Sequence, residues 1–238
     1  MPPTKTQPQP TEVDPMVPRT FRLLQTREDT RDTFTLELEP TDGVPLKFKA
    51  GQFTMLHAFG VGEVPISISS SPVEEGPLIH TIRNVGGVTR SIVEAKPGTE
   101  FGVRGPFGTS WDVTDGAEGD LLIITGGIGL APLRPAILEA LAERDRYNRV
   151  ILLYGARTPE DILFSDELRR WADRMGLTVE VTVDSGPPGW KGRVGFVTQL
   201  IPRAAFDAAH TWVLVCGPEV MMRATATELR NRGIPASH

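Results

Sequence analysis

Four stretches of the sequence combine residue types that bring backbone or hydroxyl groups close to a ligand. The first is Thr125-Gly-Gly-Ile-Gly-Leu-Ala-Pro132, which follows an apolar run and opens a helical pattern. Gly126, Gly127 and Gly129 let backbone approach an anion, and N–H groups at a helix start favour a pyrophosphate. Pro132 suits the first helical turn, where a missing N–H costs nothing. Ala131-Pro132 stands where the last glycine of the G-x-G-x-x-G fingerprint would be, so the spacing is not that motif. Taken alone, the stretch reads equally as a tight strand-to-helix turn packed on its neighbours. The second stretch, Cys216-Gly217-Pro218, also ends an apolar strand and precedes a helix. Ligands of doubly wound sheets sit beyond the carboxyl ends of the strands, where both glycine turns would lie. A lone cysteine there also fits a small inert hydrophobe.

The other two stretches lie in the first half. Val64-Pro65-Ile66-Ser67-Ile-Ser-Ser-Ser-Pro72 carries a run of hydroxyls that can donate and accept but cannot fill a core. Such a run also fits a polar strand face. Arg83-Asn-Val-Gly-Gly-Val88-Thr89-Arg-Ser91 places Gly86-Gly87 and Thr89 at the start of a helix beside potential phosphate partners. An ordinary hairpin with a capped helical turn fits it equally. Elsewhere the chemistry is plain. His57, His80, His210 and His238 lack metal-ligand spacing, and no G-x-S-x-G elbow is present. Met221-Met222 reads as helix core, and Asp166, Glu167 and Asp184 as solvated or capping groups.

The elements that must position these stretches fall into two grammars. Arg19–Gln25, Thr33–Glu39, Gln52–Phe59, Pro65–Ser70, Leu78–Asn84 and Glu100–Arg104 are strand-length and separated by turn chemistry such as Pro40–Gly43 and Pro97–Gly98. Phe34, Leu36 and Leu38 alternate with Thr33, Thr35 and Glu37, as in half-buried antiparallel strands. Residues 16–112 therefore predict a small closed barrel or sandwich. After Asp112, apolar strands (Leu121–Ile124, Val150–Tyr154, Thr178–Asp184, Trp212–Cys216) alternate with helical stretches Pro132–Arg146, Ser165–Met175 and Glu219–Arg232, with Ser165 as an N-cap. That alternation implies an open parallel sheet over residues 120–238, joined to the first unit by a turn-rich linker at 113–119.

Composition limits the classes further. The 238 residues hold 25 Lys and Arg against 30 Asp and Glu, a net charge of −5 that argues against nucleic acid or anionic membranes as partners. No apolar run approaches the ~18 residues of a membrane span. One cysteine excludes an intrachain disulfide and any all-cysteine metal site built from this sequence alone. Residues 1–15 hold five prolines and little apolar, a tail expected to be disordered or partner-bound, and they carry no targeting pattern. The expected address is the cytoplasm.

A barrel, then strand–glycine turn–helix, then strand–Cys-Gly-Pro, in that order, resembles the ferredoxin–NADP reductase superfamily from about Val17 to His238. The likeness is strongest to the branch of gamma subunits of NADP-linked nickel–iron hydrogenases, with the electron-transfer subunit of dihydroorotate dehydrogenase B related. The resemblance implies a two-domain fold: an antiparallel Greek-key β-barrel that binds FAD, then a doubly wound α/β parallel-sheet domain that binds NADP or NAD. It implies that Val64-Pro65-Ile66-Ser67 is the flavin strand, with Ser67 near flavin N5, although the family's usual Arg and Tyr are here Val64 and Ile66. Thr81-Ile82-Arg83 matches the second flavin strand, with Arg83 as a substitute cation for Val64, and Val88-Thr89 the pyrophosphate turn. By the same likeness Gly126, Gly127, Gly129, Ala131 and Pro132 cradle the nicotinamide dinucleotide. Cys216, Gly217 and Pro218 lie at the nicotinamide ring, and Arg157 meets a 2′-phosphate. Ser67 and Cys216 would then flank the reacting atoms.

The implied activity is that of an electron-transfer subunit exchanging a hydride between NAD(P)H and FAD. Its partners would be the iron–sulfur and hydrogenase subunits of a hetero-oligomeric complex. A stand-alone reductase for ferredoxin or an oxygenase, and a flavin-free scaffolding subunit, are the other readings. The resembled subunits continue into a cysteine-rich tail holding a two-iron cluster. This sequence stops at His238, which reads as a truncation, so a two-iron iron–sulfur cluster is expected only with such a tail.

Overall fold

The structure, a computed structural model, describes residues 14–113, 118–174 and 176–234. Most of the expected tail, the middle of the expected linker, Met175 and the last four residues lie outside the described residues. The first unit is a six-stranded antiparallel sheet of β1 (Arg19–Thr30), β2 (Thr33–Pro40), β3 (Phe53–Ala58), β4 (Gly62–Ser67), β5 (Leu78–Arg83) and β6 (Glu100–Phe107), in the order β4-β3-β6-β1-β2-β5. The two edge strands meet where the chain beyond β4 bridges β5 at Ile68 and His80, and Ser69 N–H bonds the Ile79 carbonyl at 2.8 Å, which closes the barrel. Inside sit Phe21, Leu23, Leu36, Leu38, Leu56, Ile68, Ile82 and Val103, one apolar residue in two along each strand.

Two departures from the sequence reading have local causes. The strand expected at Pro65–Ser70 begins three residues earlier, because Gly60 and Gly62, both at positive φ, turn the chain so that Gly62 already pairs with Ala58. Thr33 and Thr35 are buried rather than exposed. Their hydroxyls are taken up by Asp32 and by Asp29 and Thr81. The short helix α1 (Gly87–Val93) follows β5, with Ile92 and Val93 in the barrel core.

The second unit is a five-stranded parallel sheet of β7 (Asp120–Gly126), β8 (Arg149–Ala156), β9 (Leu177–Val183), β10 (Arg193–Val194) and β11 (Thr211–Cys216), in the order β10-β9-β8-β7-β11. Every residue of β7 is buried, as a central parallel strand requires. Helices α2 (Leu130–Ala142) and α3 (Ser165–Arg174) cover one face with Leu133, Ile137, Leu168 and Trp171. The other face is covered by α4 (Glu219–Asn231) and a 3-10 segment, Val197–Arg203, through Leu229, Leu200 and Ile201. The first of these helices starts two residues before Pro132 and stops at Ala142, where Glu143 leaves helical geometry (φ −116°, ψ 35°), rather than running on to Arg146. The two residues of β10, Arg193 and Val194, pair with Thr182 and Val183 of β9. No helix among the described residues is long and apolar enough to cross a membrane.

The units share a contact surface. Ala50, from the barrel, is buried in the core of the second unit, and Trp111 Nε1 donates to the Pro132 carbonyl at 3.1 Å.

Candidate functional site

From β7 the chain winds outward through β8, β9 and β10, then returns to β11 on the opposite side of β7. The winding reverses between β7 and β11, the point beyond whose strand ends sheets of this topology form a ligand crevice. Cys216 pairs with Thr125, so Gly126–Gly129 and Gly217–Pro218 leave the sheet side by side. Three of the glycines pack closely on their neighbours, Gly129 on fixed backbone and Gly126 and Gly217 chiefly on the flexible end of Met221. A Cβ on Gly129 would lie 2.5 Å from the Cys216 carbonyl oxygen, one on Gly126 2.6 Å from Met221 Sδ, and one on Gly217 2.7 Å from Met221 Cε. Gly127 differs: its φ is +57° and an added Cβ would meet nothing within 4 Å. Its backbone faces open space, as a ligand-binding turn requires.

The surroundings fix this turn. Thr125 Oγ1 donates to the Cys216 carbonyl at 2.9 Å. The fully buried Tyr154 hydroxyl donates to the Gly127 carbonyl at 3.3 Å and accepts from Leu163 N–H at 3.1 Å; burial pushes its pKa up to about 12. Burial also raises the half-buried Cys216 thiol, so it stays protonated and uncharged at the crevice wall. Ala131 is buried in the core, so its side chain does not line the opening, and the Pro132 carbonyl accepts from Trp111.

On the barrel side most of the hydroxyl run is engaged internally. Ser69, Thr81 and Thr35 form a hydroxyl chain with contacts of 3.1 and 2.8 Å, and Ser70 Oγ accepts from Ile79 N–H. The side chains of Thr81 and Ile82 are therefore interior, and those residues offer a ligand only backbone. Ser67 is the exception: among the described residues its hydroxyl has no hydrogen-bond partner, while its carbonyl accepts from buried His80 Nδ1 at 2.9 Å. Val64 and Ile66 pack half-buried on the barrel core, and Pro65 is exposed. Beyond β5, Asn84 Oδ1 is buried without a partner among the described residues, beside Gly86 and Gly87, where an added Cβ would meet nothing within 4 Å. Thr89 Oγ1 caps this turn by accepting from the Val85 and Gly86 N–H groups. Val88 packs its side chain on the barrel at Gly62, leaving its N–H at the helix start.

Two expected cations are already paired. Arg83 Nε donates to Asp32 Oδ2 at 2.7 Å, and Arg157 lies 3.9 Å from the same carboxylate and 3.7 Å from Asp161. Burial raises the Asp32 pKa, but hydrogen bonds from Arg83, Thr33 and Thr30 and the charge of Arg83 outweigh it and hold the carboxyl below its ordinary value. Asp32 thus gathers one arginine from each unit. Sequence reasoning did not find Asp32, His80 or Arg134 as site residues, because their partners lie far along the chain and no local spacing marks them.

The residues fit a flavin and a nicotinamide dinucleotide. An open glycine turn with helix-start N–H groups and two half-exposed arginines suit a diphosphate, an orphaned buried amide oxygen suits a hydroxyl donor of a nucleotide, and an unengaged hydroxyl suits the polar edge of a flavin ring. Gly127 and the neutral Cys216 suit a nicotinamide nucleotide at the sheet's switch point.

Comparison with known proteins agrees. Residues 123–227 match the family described as an oxidoreductase NAD-binding domain. The chain is 35% identical over 201 residues to the sulfhydrogenase 2 gamma subunit of Pyrococcus furiosus, an alignment covering 79% of this chain and 68% of that one. It is 32% identical over 219 residues to a probable dihydroorotate dehydrogenase B (NAD(+)) electron transfer subunit of Methanocella arvoryzae, covering 92% and 76%. Among solved structures, the ferredoxin reductase in carbazole 1,9a-dioxygenase superposes with a TM-score of 0.79 at 25% identity, covering 92% of this chain and 67% of that one. The chain spans about two thirds of the length of the sulfhydrogenase gamma subunits it matches, 68% and 64%. The chain belongs to the ferredoxin–NADP reductase superfamily, in the branch that holds sulfhydrogenase gamma subunits and dihydroorotate dehydrogenase B electron-transfer subunits, and is an NAD(P)H-dependent flavin oxidoreductase.

Proposed function

We propose that this chain is a flavoprotein electron-transfer subunit that exchanges a hydride between NAD(P)H and FAD. Single electrons would then pass to or from iron–sulfur clusters of a partner, in a cytoplasmic NADP-linked nickel–iron hydrogenase. The observation that carries the reading is the open Gly127 turn beside Cys216 at the switch point of the parallel sheet, in a unit bonded to the barrel that carries Ser67. Relatives named as sulfhydrogenase and dihydroorotate dehydrogenase subunits support a place in a hetero-oligomeric complex. A single cysteine is compatible with a reducing compartment.

When bound, FAD supplies the ability to take a hydride and release its two electrons singly. The chain's own residues bind and orient. Residues 64–67 and 81–83 would hold the flavin, with the Val88 and Thr89 backbone at its diphosphate. Residues 126–132 and Cys216–Pro218 would hold the nicotinamide nucleotide. Ser67 offers a hydrogen bond at the flavin's reacting edge. Cys216, uncharged, walls the crevice and keeps water from the transfer path. In the hydride step itself no side chain need act as acid or base, because a hydride carries its proton with it; when the two electrons leave singly that proton is released to solvent. Arg157 is the residue proposed for a 2′-phosphate. Its charge is already shared with Asp32 and Asp161, so the expected advantage of NADPH over NADH is small.

The test is an anaerobic titration of the FAD-loaded protein with NADPH and, separately, NADH, followed by bleaching of flavin absorbance. Bleaching by either establishes the half-reaction. FAD binding without bleaching by either overturns the nicotinamide site, and absence of FAD binding favours the scaffolding reading that Val64 and Ile66 allow. In the same assay Ser67→Ala should keep FAD yet slow reduction on the order of 10²-fold, the typical loss of one preorganised donor. Stopped-flow reduction at the wild-type rate would remove Ser67 from the reacting centre.

A further inference from the structure

We infer that Arg134 is a positioning residue: by clamping the second unit to the barrel it sets the gap between the end of β4 and the glycine turn. The inference rests on the proposed hydride transfer across that gap. Arg134 sits one helical turn into α2. Its Nε and one terminal nitrogen each donate to a different oxygen of Glu167, in the first turn of α3, at 2.7 Å. The other terminal nitrogen crosses the domain boundary and donates to the Ser69 carbonyl. Only a guanidinium can make a two-pronged carboxylate bond and still reach a third acceptor in its plane.

The surroundings hold that plane. The Arg134 and Glu167 side chains are 14% and 17% exposed, so solvent screens the pair little. The Phe164 ring lies 5.6 Å from the guanidinium carbon. Phe164 has φ +52°, a left-handed conformation that bulky residues avoid, and this bend leads directly into α3. The barrel end of the clamp is equally fixed: Ser69 bonds Ile79 through N–H at 2.8 Å and Thr81 through its hydroxyl, and Ile68 N–H bonds the Gln52 carbonyl at 3.0 Å. A stiff path therefore runs from Ser67, two residues before Ser69, through Arg134 and one turn of α2 to Gly129. Trp111 pins the same helix at Pro132, so the start of α2 has two attachments to the barrel.

Transfer between two bound rings needs reacting atoms roughly 3–3.5 Å apart, and a misplacement of about 1 Å costs on the order of 10²-fold in rate. Removing the clamp should therefore slow the limiting rate of flavin reduction about 10²-fold. FAD content should hold, and the apparent Kd for NADH should stay within about threefold, because neither cofactor site contains Arg134.

The experiment compares FAD-loaded wild type, Arg134→Met and Arg134→Lys by anaerobic stopped flow with NADH. Thermal unfolding is followed in parallel by flavin fluorescence, which reports the barrel, and by helical circular dichroism, which reports mainly the second unit. The two unfolding signals should coincide in wild type and separate in Arg134→Met. Arg134→Lys, which reaches either Glu167 or Ser69 but not both, should fall between. A wild-type limiting rate with coincident transitions in Arg134→Met would overturn the inference, as would an unchanged limiting rate with a raised Kd. If the Met variant does not fold, a wild-type limiting rate in Arg134→Lys overturns it. If wild-type flavin is reduced by neither nucleotide, the proposed function fails instead, and the coincidence or separation of the transitions decides the clamp alone.

Discussion

Gly129→Ala is expected to abolish nucleotide-driven flavin reduction while leaving FAD bound. A Cβ at this position would stand 2.5 Å from the Cys216 carbonyl oxygen, 2.8 Å from its carbon and 2.9 Å from Thr125 Oγ1. The first two are backbone atoms of the neighbouring strand and cannot rotate away. β7 and β11 would have to part at the register pair Thr125–Cys216, where the Thr125 hydroxyl also ties the strands together. Overpacking of this kind costs about 1–3 kcal/mol, and in a chain of this size each kcal/mol lowers Tm by roughly 2–4 °C. The larger effect is on function, because the displaced atoms are those that shape the crevice. Gly127→Ala separates the causes: it meets no neighbour, but its φ of +57° costs an L-residue roughly 1–2 kcal/mol. It should retain measurable reduction by NADH where Gly129→Ala has none. Reduction of Gly129→Ala at the wild-type rate would show that the two turns do not form one site.

The contrast between these glycines shows what the sequence conveys and what it leaves out. A strand running into Gly-Gly-Ile-Gly and a second into Cys-Gly-Pro is visible in one dimension, and with the change of period at Asp112 it was enough for both units and their order. The reason for each glycine was not visible. Gly126, Gly129 and Gly217 answer to Met221 and Cys216, roughly ninety residues distant or across a loop, whereas Gly127 answers to open space. The hydroxyl run misleads in the same way. Ser69 and Thr81 serve the barrel interior and only Ser67 is unengaged, a difference set by the bridge of Ile68 to His80 rather than by anything adjacent in sequence. Glu167 read as a solvated or capping group, yet it is largely buried against Arg134, because α2 and α3 share one face of the sheet. Asp32 gathers Arg83 and Arg157 from two units for a comparable reason: charged side chains at a domain boundary choose partners by fold, not by spacing.

The second large effect should appear as acid sensitivity, and it comes from His80. The imidazole is fully buried, with Nδ1 donating to the Ser67 carbonyl at 2.9 Å and Nε2 accepting from the Thr54 hydroxyl at 3.1 Å. Burial lowers its pKa to about 4, against a smaller raising effect of the Ser67 carbonyl. In the unfolded chain the ring titrates near its ordinary value of about 6.5. Between pH 6.5 and 4 the unfolded chain holds a proton that the folded chain does not, so stability falls as pH falls, by at most about 1.4 kcal/mol per unit and about 3 kcal/mol in all. Above pH 6.5 this contribution is flat. Glu139 and Asp184 act in the opposite sense, since burial raises their carboxyl pKa values and acid then favours the folded state. Asp32, Asp42, Glu63 and Asp207, whose carboxyl pKa values are lowered, act in the same sense as His80 as pH falls through the carboxylate range, and the difference between wild type and His80→Gln isolates the histidine. Urea unfolding should show wild type losing more stability between pH 7 and pH 5 than His80→Gln, which is weaker at pH 7 through a lost buried bond but flatter below it. Parallel profiles for the two proteins would mean that the ring takes up its proton in the fold at its ordinary pKa, with no penalty from burial. The site has a stake in the outcome, because protonation at Nε2 replaces the acceptor that Thr54 requires and loosens the ring that holds Ser67.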